Sequence, residues 1–418
     1  MKPEVLSPAG NPVKLRTAIA YGADAVYMSG KRFGLRTFSD NFDRDEMKES
    51  IAYAHEHGVK CYVTMNIMGL EQDLKVIDDE IDFTAHEAKA DAVLVSDPGI
   101  FSRVREVAPD LELHISTQAS TTNSEACKFW YKQGAQRIVL ARELSLEQIK
   151  QIRANIPSDL ELEAFVHGAM CISYSGRCIL SNYFTGRRSN GGACAQPCRW
   201  GYALVEEERP DEAFPIEEDE RGTYVLSSKD LSMIEHIPDL VDAGVDSLKI
   251  EGRIKGDYYA AVTAKVYREA VDLYLKDPEG WKVNPEWPVL LEKLVHRDYD
   301  TGFFYGSPMD DAKIASDRTY VKPAFVVAQI TGRNADGSYR AVQKNKLYNG
   351  DMLNVLKPEG YEAPLKVTKC TDGDGSELDS IPHPGTQFNI YFDRRTDLPE
   401  LTILSRDGDK DGGIAPMS

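Results

Sequence analysis

The chain reads as an α/β protein: a (β/α)8 TIM-like barrel followed by a small antiparallel β-barrel. Three observations predict this. A phrase made of helix end, small-residue turn, buried run and polar exit recurs four times, at 21–30 (YGADAVYMSG), 88–99, 132–143 and 241–252. Apolar runs such as EVLSP, KCYVTMN, ELHISTQ and ELEAFVHG alternate with stretches of helical periodicity, for example 45–57 and 146–156. Strand alternating with helix implies parallel strands joined by right-handed crossovers. From Thr319 the pattern changes to short alternating runs (YVKPAFVVAQIT, SYRAVQ, DMLNVL, PLKVTK, QFNIYF) separated by Gly, Asp and Asn turns, as in an antiparallel sheet.

In chain order, seven strands are expected by residue 166, with further candidates at 224–227 and 247–250. That makes nine for the eight staves of a barrel, and 224–227 is the candidate expected to fall out. A doubly wound sheet ranks second, because the LSPAGN turn after the first strand is neither G-x-G-x-x-G nor a P-loop. The expected organisation is a barrel over 1–275 carrying an insertion at 168–222, a linker and helical connection over 276–318, the small barrel over 319–405 and a flexible tail over 406–418. A chain of 418 residues suits two such domains.

A hydrophobic fraction of 42% and a charged fraction of 28% are those of a globular protein with ample core. A net charge of -18 argues against a surface that coats nucleic acid generally, while leaving room for a local basic site. The opening MKPEVLSPAGNPVKL has no apolar signal core, and no stretch approaches 18 apolar residues, so no membrane association is expected and a cytoplasmic location is. In that reducing compartment clustered cysteines serve as metal ligands or redox groups more often than as disulfides.

Four of the seven cysteines, Cys171, Cys178, Cys194 and Cys198, fall as C-x6-C-x15-C-x3-C directly after the strand ELEAFV, where loops form the active face of a barrel. Four thiolates converge well on a soft metal, either tetrahedral zinc or an iron-sulfur cluster, and the gaps are not the x2 knuckles of zinc ribbons. Residues 164–205 contain no Asp, Glu or Lys but do contain Arg177, Arg187, Arg188 and Arg199. Such a gap suits a cluster pocket or an anion site. The plainer alternative is four small hydrophobes in a neutral loop; packing is the expected role of Cys61, Cys127 and Cys370.

Strand exits supply Asn66, Asp97, His114, Gln118, Arg142, Glu143, His167, Lys229, Glu251 and Arg253. His114, His167, Glu251 and Arg253 are the candidates for proton transfer or catalytic contact. Asn66, Gln118, Arg142, Lys229 and the four arginines of the insertion are the candidates for substrate binding. Against these stand structural roles: a histidine satisfied at a strand end, or a Glu251–Arg253 pair locking the rim. Tyr174, Tyr183, Phe184 and Trp200 either stack an extruded base or pack their own loop. The acidic run 206–222 reads as a solvated excursion, and Lys344, Lys346, Lys357, Lys366 and Lys369 of the small barrel as weak support for an RNA contact. A thiol protease would pair Cys171 with His167, although neither H-E-x-x-H nor G-x-S-x-G occurs. A zinc-clamped scaffold without activity is a third class.

Glu163, Phe165, Gly168, Ala169, Met170, Cys171, Gly176, Cys178, Leu180 and Ser181 reproduce the signature of peptidase family U32, the collagenase-like proteins. The resemblance extends through LSPAGN, AIAYGADAVYMSG, GACAQPCRW, DSLKIEGRIK and HRDYDTGFFYG, nearly the whole chain. Within the family the chain looks most like the branch that forms 5-hydroxyuridine at the wobble position of certain tRNAs, independently of molecular oxygen. The resemblance therefore implies a tRNA substrate, a small-molecule hydroxyl donor, an electron donor and room for a second family subunit. Related members that modify ribosomal RNA or ubiquinone precursors imply a 4Fe-4S cluster on Cys171, Cys178 and Cys194. Cys198 takes the fourth place here, because this chain has Ser232 where some relatives have cysteine.

Overall fold

The computed structural model describes residues 2–35, 40–171, 173–200, 204–206, 209–214, 218–219, 222–223, 229–306 and 324–408. Eight parallel strands form the first domain: β1 (Glu4–Pro8), β2 (Ala25–Met28), β3 (Lys60–Met65), β4 (Ala92–Val95), β5 (Glu112–Ile115), β6 (Arg137–Val139), β7 (Glu161–Ala169) and β8 (Ser247–Ile250). Each pairs with the next, and β8 pairs with both β7 and β1, which closes the barrel. β2, β4, β6 and β8 are buried along their whole length, as parallel strands covered on both faces must be. The candidate strand 224–227 lies outside the described residues, and the barrel closes without it.

The outer layer is α1 (Pro12–Ala20), α2 (Arg44–Glu56), α3 (Ile77–Asp82), α4 (Pro98–Val107), α5 (Ser124–Lys132), α6 (Leu146–Ala154), α7 (Ile237–Asp242) and α8 (Asp257–Lys276). The sequence sets where many of these begin. Asn11 accepts from the Lys14 amide, Asp43 and Ser145 form capping boxes with Glu46 and Gln148, and Asn123 accepts from the Ala126 amide. Asp97, expected at a strand exit, is the cap of α4, accepting from the amides of Gly99 and Ile100.

One irregularity matters for the site. In the β7–β8 ladder Lys249 faces Phe165 but Ile250 faces His167, so Val166 is an extra residue in β7. A bulge of this kind bends the strand and reverses the alternation of side chains beyond it. Past the bulge a short strand, Asp230–Ser232, runs antiparallel to the end of β7, and Arg297 anchors it through 3.0 and 2.7 Å bonds to the buried Asp230 carboxylate.

The second domain is a closed six-stranded antiparallel barrel of β9 (Ala324–Arg333), β10 (Tyr339–Gln343), β11 (Met352–Leu356), β12 (Glu362–Thr371), β13 (Gln387–Phe392) and β14 (Ile403–Asp407). It has its own core around Val327, Leu353, Val367 and Ile390, while Ala324, Leu356 and Ile403 join the core of the large barrel. The Tyr21 hydroxyl at the end of α1 donates 2.7 Å to the Leu356 carbonyl across that junction. Residues 307–318 of the expected linker and 409–418 of the expected tail lie outside the described residues.

Candidate active site at the barrel mouth

Below the mouth, the barrel is filled by a chain of charges. Arg137 of β6 bonds Glu4 at 2.7 Å, Glu161 at 2.7 Å and Glu163 at 3.1 Å, and Lys249 of β8 bonds the other Glu163 oxygen at 2.6 Å. Tyr62 donates to Glu4 at 2.6 Å. Burial would raise the Glu163 carboxyl, but Lys249 and Arg137 outweigh it and hold the group below its ordinary range. A buried charge needs partners of this kind.

Above that layer a cavity of about 40 Å³ opens at the C-terminal ends of the strands. Its lining is polar on one side and cationic on the other. The Asn66 amide donates 3.1 Å to the Ser116 hydroxyl, which donates 2.8 Å to the Gln118 side-chain oxygen, and the Leu35 amide donates to the Asn66 oxygen at 3.3 Å. Opposite lie Arg142, Lys249, Glu251 and Arg253. Arg142 packs its guanidinium over Phe165, 3.9 Å from the ring centroid, donates 2.9 Å to the Ala169 carbonyl and lies 3.5 Å from the Glu251 carboxylate. Among the described residues two buried polar atoms of this lining, Thr64 Oγ1 and Arg142 Nε, have no hydrogen-bond partner. Buried polar atoms left so in a cavity mark a place for a polar ligand.

Glycines fix the rim. A Cβ on Gly10, in the LSPAGN turn, would lie 2.2 Å from the Arg253 carbonyl oxygen; one on Gly168, whose φ is +105°, would lie 2.6 Å from that of Glu251. The sequence expectations for Asn66, Gln118, Arg142, Glu251 and Arg253 thus converge on one cavity. Lys249, Thr64 and Ser116 line it as well and were not anticipated. Their signal was parity: Lys249, Glu251 and Arg253 alternate along LKIEGR, and all face the mouth.

Both histidines depart from expectation. His114 lies one inward layer below Ser116, buried with its ring edge-on to Tyr62 at 4.8 Å, and burial, then Arg137, push it well below the usual histidine range. His167 lies beyond the Val166 bulge, so its ring points away from the cavity into tyrosines of α8. Its Nδ1 lies 3.4 Å from the Tyr267 hydroxyl, with Tyr259 and Tyr299 around it. Burial pushes its pKa down to about 3. The Cys171–His167 dyad of a thiol protease is therefore not assembled. Lys229 is also away from the cavity, 3.3 Å from Asp300.

The cysteine segment roofs the mouth. The Ser175 amide donates 2.9 Å to Glu143, after β6; a Cβ on Gly176 would meet the Gln118 carbonyl at 2.4 Å, after β5; and the Asn190 carbonyl accepts at 2.9 Å from the Met68 amide, after β3. Asn190 also donates 2.9 Å to the Gly176 carbonyl, and Ser189 donates 2.8 Å to that of Cys178. None of the seven cysteines is in a disulfide. Cys61, Cys127 and Cys370 are buried, as expected of packing residues, whereas Cys171 is exposed and Cys178, Cys194 and Cys198 are half-buried. Among the described residues no three His, Cys, Asp or Glu side chains are gathered as a metal site. The chemistry of the donor set fits a soft metal; the described placement of the thiols is not that of a closed site.

Arg177, Arg187 and Arg188 are exposed and do not line the cavity; Arg188 donates 3.3 Å to the Met68 carbonyl and Arg187 donates 3.0 Å to that of Ala193. The side chain of Arg199 lies outside the described residues, as does most of the acidic run 206–222. In the small barrel Lys344, Lys357 and Lys369 are paired with Asp257, Glu362 and Glu377, which weakens their case as RNA contacts. Among the described residues no helix is long and apolar enough to cross a membrane.

Comparison with known proteins follows the same division of the chain. The family model described as peptidase family U32 matches residues 10–313, and that of the peptidase family U32 C-terminal domain matches residues 324–404. The chain is 39% identical over 395 residues to tRNA hydroxylation protein P1 of Bacillus subtilis, covering 94% of this chain and 93% of that one. It is 38% identical over 443 residues to tRNA hydroxylation protein P of Escherichia coli, covering 95% of each. A collagenase of Porphyromonas gingivalis is 32% identical over 318 residues, covering 74% of this chain and 75% of that one.

Proposed function

The chain belongs to peptidase family U32, and from that membership we propose that it is an enzyme that hydroxylates tRNA, forming 5-hydroxyuridine at the wobble position without molecular oxygen. Likeness over nearly the full length to relatives named for tRNA hydroxylation supports the substrate class. The observation that carries the reading is the pair of unpartnered buried polar atoms, Thr64 Oγ1 and Arg142 Nε, in a cavity at the barrel mouth. Such a cavity suits an extruded base, since chemistry on a base requires taking it out of its stack.

In this reading the Asn66 and Gln118 amides offer donors and acceptors to the uracil edge. Arg142, held flat on Phe165, and Lys249, held by Glu163, keep two cations at fixed positions beside the ring. The Glu251 carboxylate, reached by Arg142, is the group placed to take up the proton that leaves C5, while the small-molecule hydroxyl donor supplies the oxygen and is the two-electron oxidant, its bond to the transferred hydroxyl breaking as C5–OH forms. Cys171, Cys178, Cys194 and Cys198 would hold a 4Fe-4S cluster, and such a cluster supplies one-electron redox chemistry when bound. Closing the four thiols on it requires the segment to draw inward from its described placement.

Two experiments test this. Protein purified without oxygen is expected to carry about four irons and four acid-labile sulfides per chain, lost in Cys171→Ala; one zinc in their place favours the scaffold. Deleting the gene is expected to remove wobble 5-hydroxyuridine from tRNA, measured by nucleoside mass spectrometry, with Cys171→Ala failing to restore it. Unchanged modification in a strain without a redundant enzyme overturns the reading.

A further inference from the structure

The outer face of the cysteine segment carries side chains that neither the cavity nor the core uses. Tyr183 is 79% exposed, Phe184 48% and Trp200 42%. Their rings meet edge-on or tilted: Tyr183 and Phe184 are 5.2 Å apart at 82°, and Phe184 and Trp200 are 6.4 Å apart at 51°. Within five residues of Tyr183 in the chain, Arg187 and Arg188 are exposed, with their guanidinium groups tethered to the Ala193 and Met68 carbonyls. No Asp, Glu or Lys occurs from residue 164 to 205, in a chain whose net charge is -18.

Exposed aromatics alone would suit a protein partner equally well. Charge decides between the two. An acidic chain that clears every carboxylate from one 42-residue stretch, and leaves only arginine there as charge, offers a polyanion a segment of opposite sign. Exposed rings interleaved with arginine are how unpaired nucleotides are held, because every base has a face to stack and every nucleotide a phosphate.

We propose that this face is a platform for unpaired RNA nucleotides, with Tyr183, Phe184 and Trp200 stacking bases and Arg187 and Arg188 holding the adjoining phosphates. The inference rests on the tRNA reading above and deepens it. The platform lies on the roof of the barrel mouth, so a loop held on it delivers a neighbouring nucleotide to the cavity. It recognises loop nucleotides, not duplex.

The test uses the full chain and a fluorescein-labelled RNA hairpin with a seven-nucleotide uridine-containing loop, with a duplex of equal length as control, read by fluorescence anisotropy. Wild type is expected to prefer the hairpin. The double variant Tyr183→Ala, Phe184→Ala is expected to lose about tenfold or more in affinity at every salt concentration, and Tyr183→Trp to retain it. Arg187→Ala with Arg188→Ala is expected to flatten the slope of log K against log salt by about 1.4. Hairpin binding that survives the aromatic variant unchanged overturns the platform while leaving the tRNA reading intact. A change in sedimentation mass with no change in RNA affinity overturns it in favour of a protein interface. Failure of wild type to bind the hairpin at any salt overturns both.

Discussion

The Lys249 ammonium lies 2.6 Å from the Glu163 carboxylate inside the barrel, with both side chains buried. Removing the carboxylate strands two cations, Lys249 and Arg137, so Glu163→Gln is expected to cost about 3–5 kcal/mol, read as a lower urea midpoint. Adding Lys249→Met is expected to recover part of that loss. The pH dependence follows from direction. Burial raises the carboxyl and the two cations outweigh it, so the folded value lies below 4.5. The stabilisation is complete above the unfolded value and is lost as pH falls through the folded one. Wild type should therefore weaken below pH 4.5, and Glu163→Gln should lack that component.

His167 gives a second pH signature. The folded ring, driven by burial to about 3, stays neutral where the unfolded ring, near 6.5, takes a proton. Stability should thus fall as pH drops from 6.5 toward 3, by on the order of a few kcal/mol. His167→Phe is expected to flatten that limb and to leave the pH profile of hydroxylation unchanged. Loss of activity at unchanged Tm would return His167 to the catalytic role that the sequence suggested.

Gly168 is held at φ +105° with no room for a Cβ beside the Glu251 carbonyl. Gly168→Ala is expected to lower stability by about 1–3 kcal/mol and, by moving Glu251, to reduce kcat more than the Tm shift alone explains. Tm and turnover measured on the same preparation separate the two effects.

Asn66→Ala and Arg142→Lys test the cavity. Asn66→Ala removes the amide that bonds Ser116, and Arg142→Lys keeps the charge but loses the flat contact with Phe165 and the fork that reaches Ala169. Each is expected to lower kcat/KM by about ten- to a hundredfold, a loss of about 1.4–2.7 kcal/mol of transition-state binding. Wild-type activity in both would place the chemistry elsewhere.

The barrel was legible because its strands are short, mostly apolar and punctuated by variants of one small-residue phrase, so counting strands and helices came within one of the eight staves. The rim residues Glu251 and Arg253 were legible because charge at a strand exit has few structural reasons to be there. His167 was not. Plain alternation from Glu163 through Phe165 puts it inside, and only the extra residue Val166 turns it outward; no side chain in ELEAFVHGA announces a bulge. Lys249 was passed over for the opposite reason, since a lysine within an apolar strand is read as interior until its carboxylate partner, 86 residues away in sequence, is known. The cysteine spacing located the roof, but spacing carries no information about whether four thiols already face one another.

The junction at Tyr21 bears on how the chain melts. With Leu356 and Ile403 in the core of the large barrel, and the Tyr21 hydroxyl bonded to a carbonyl of β11, unfolding the small barrel opens a wound in the flank of the large one. The two halves, though matched by separate family models, are coupled in cooperativity: calorimetry of the whole chain should trace one heat-absorption peak, and a substitution confined to β11 should shift that peak as a whole.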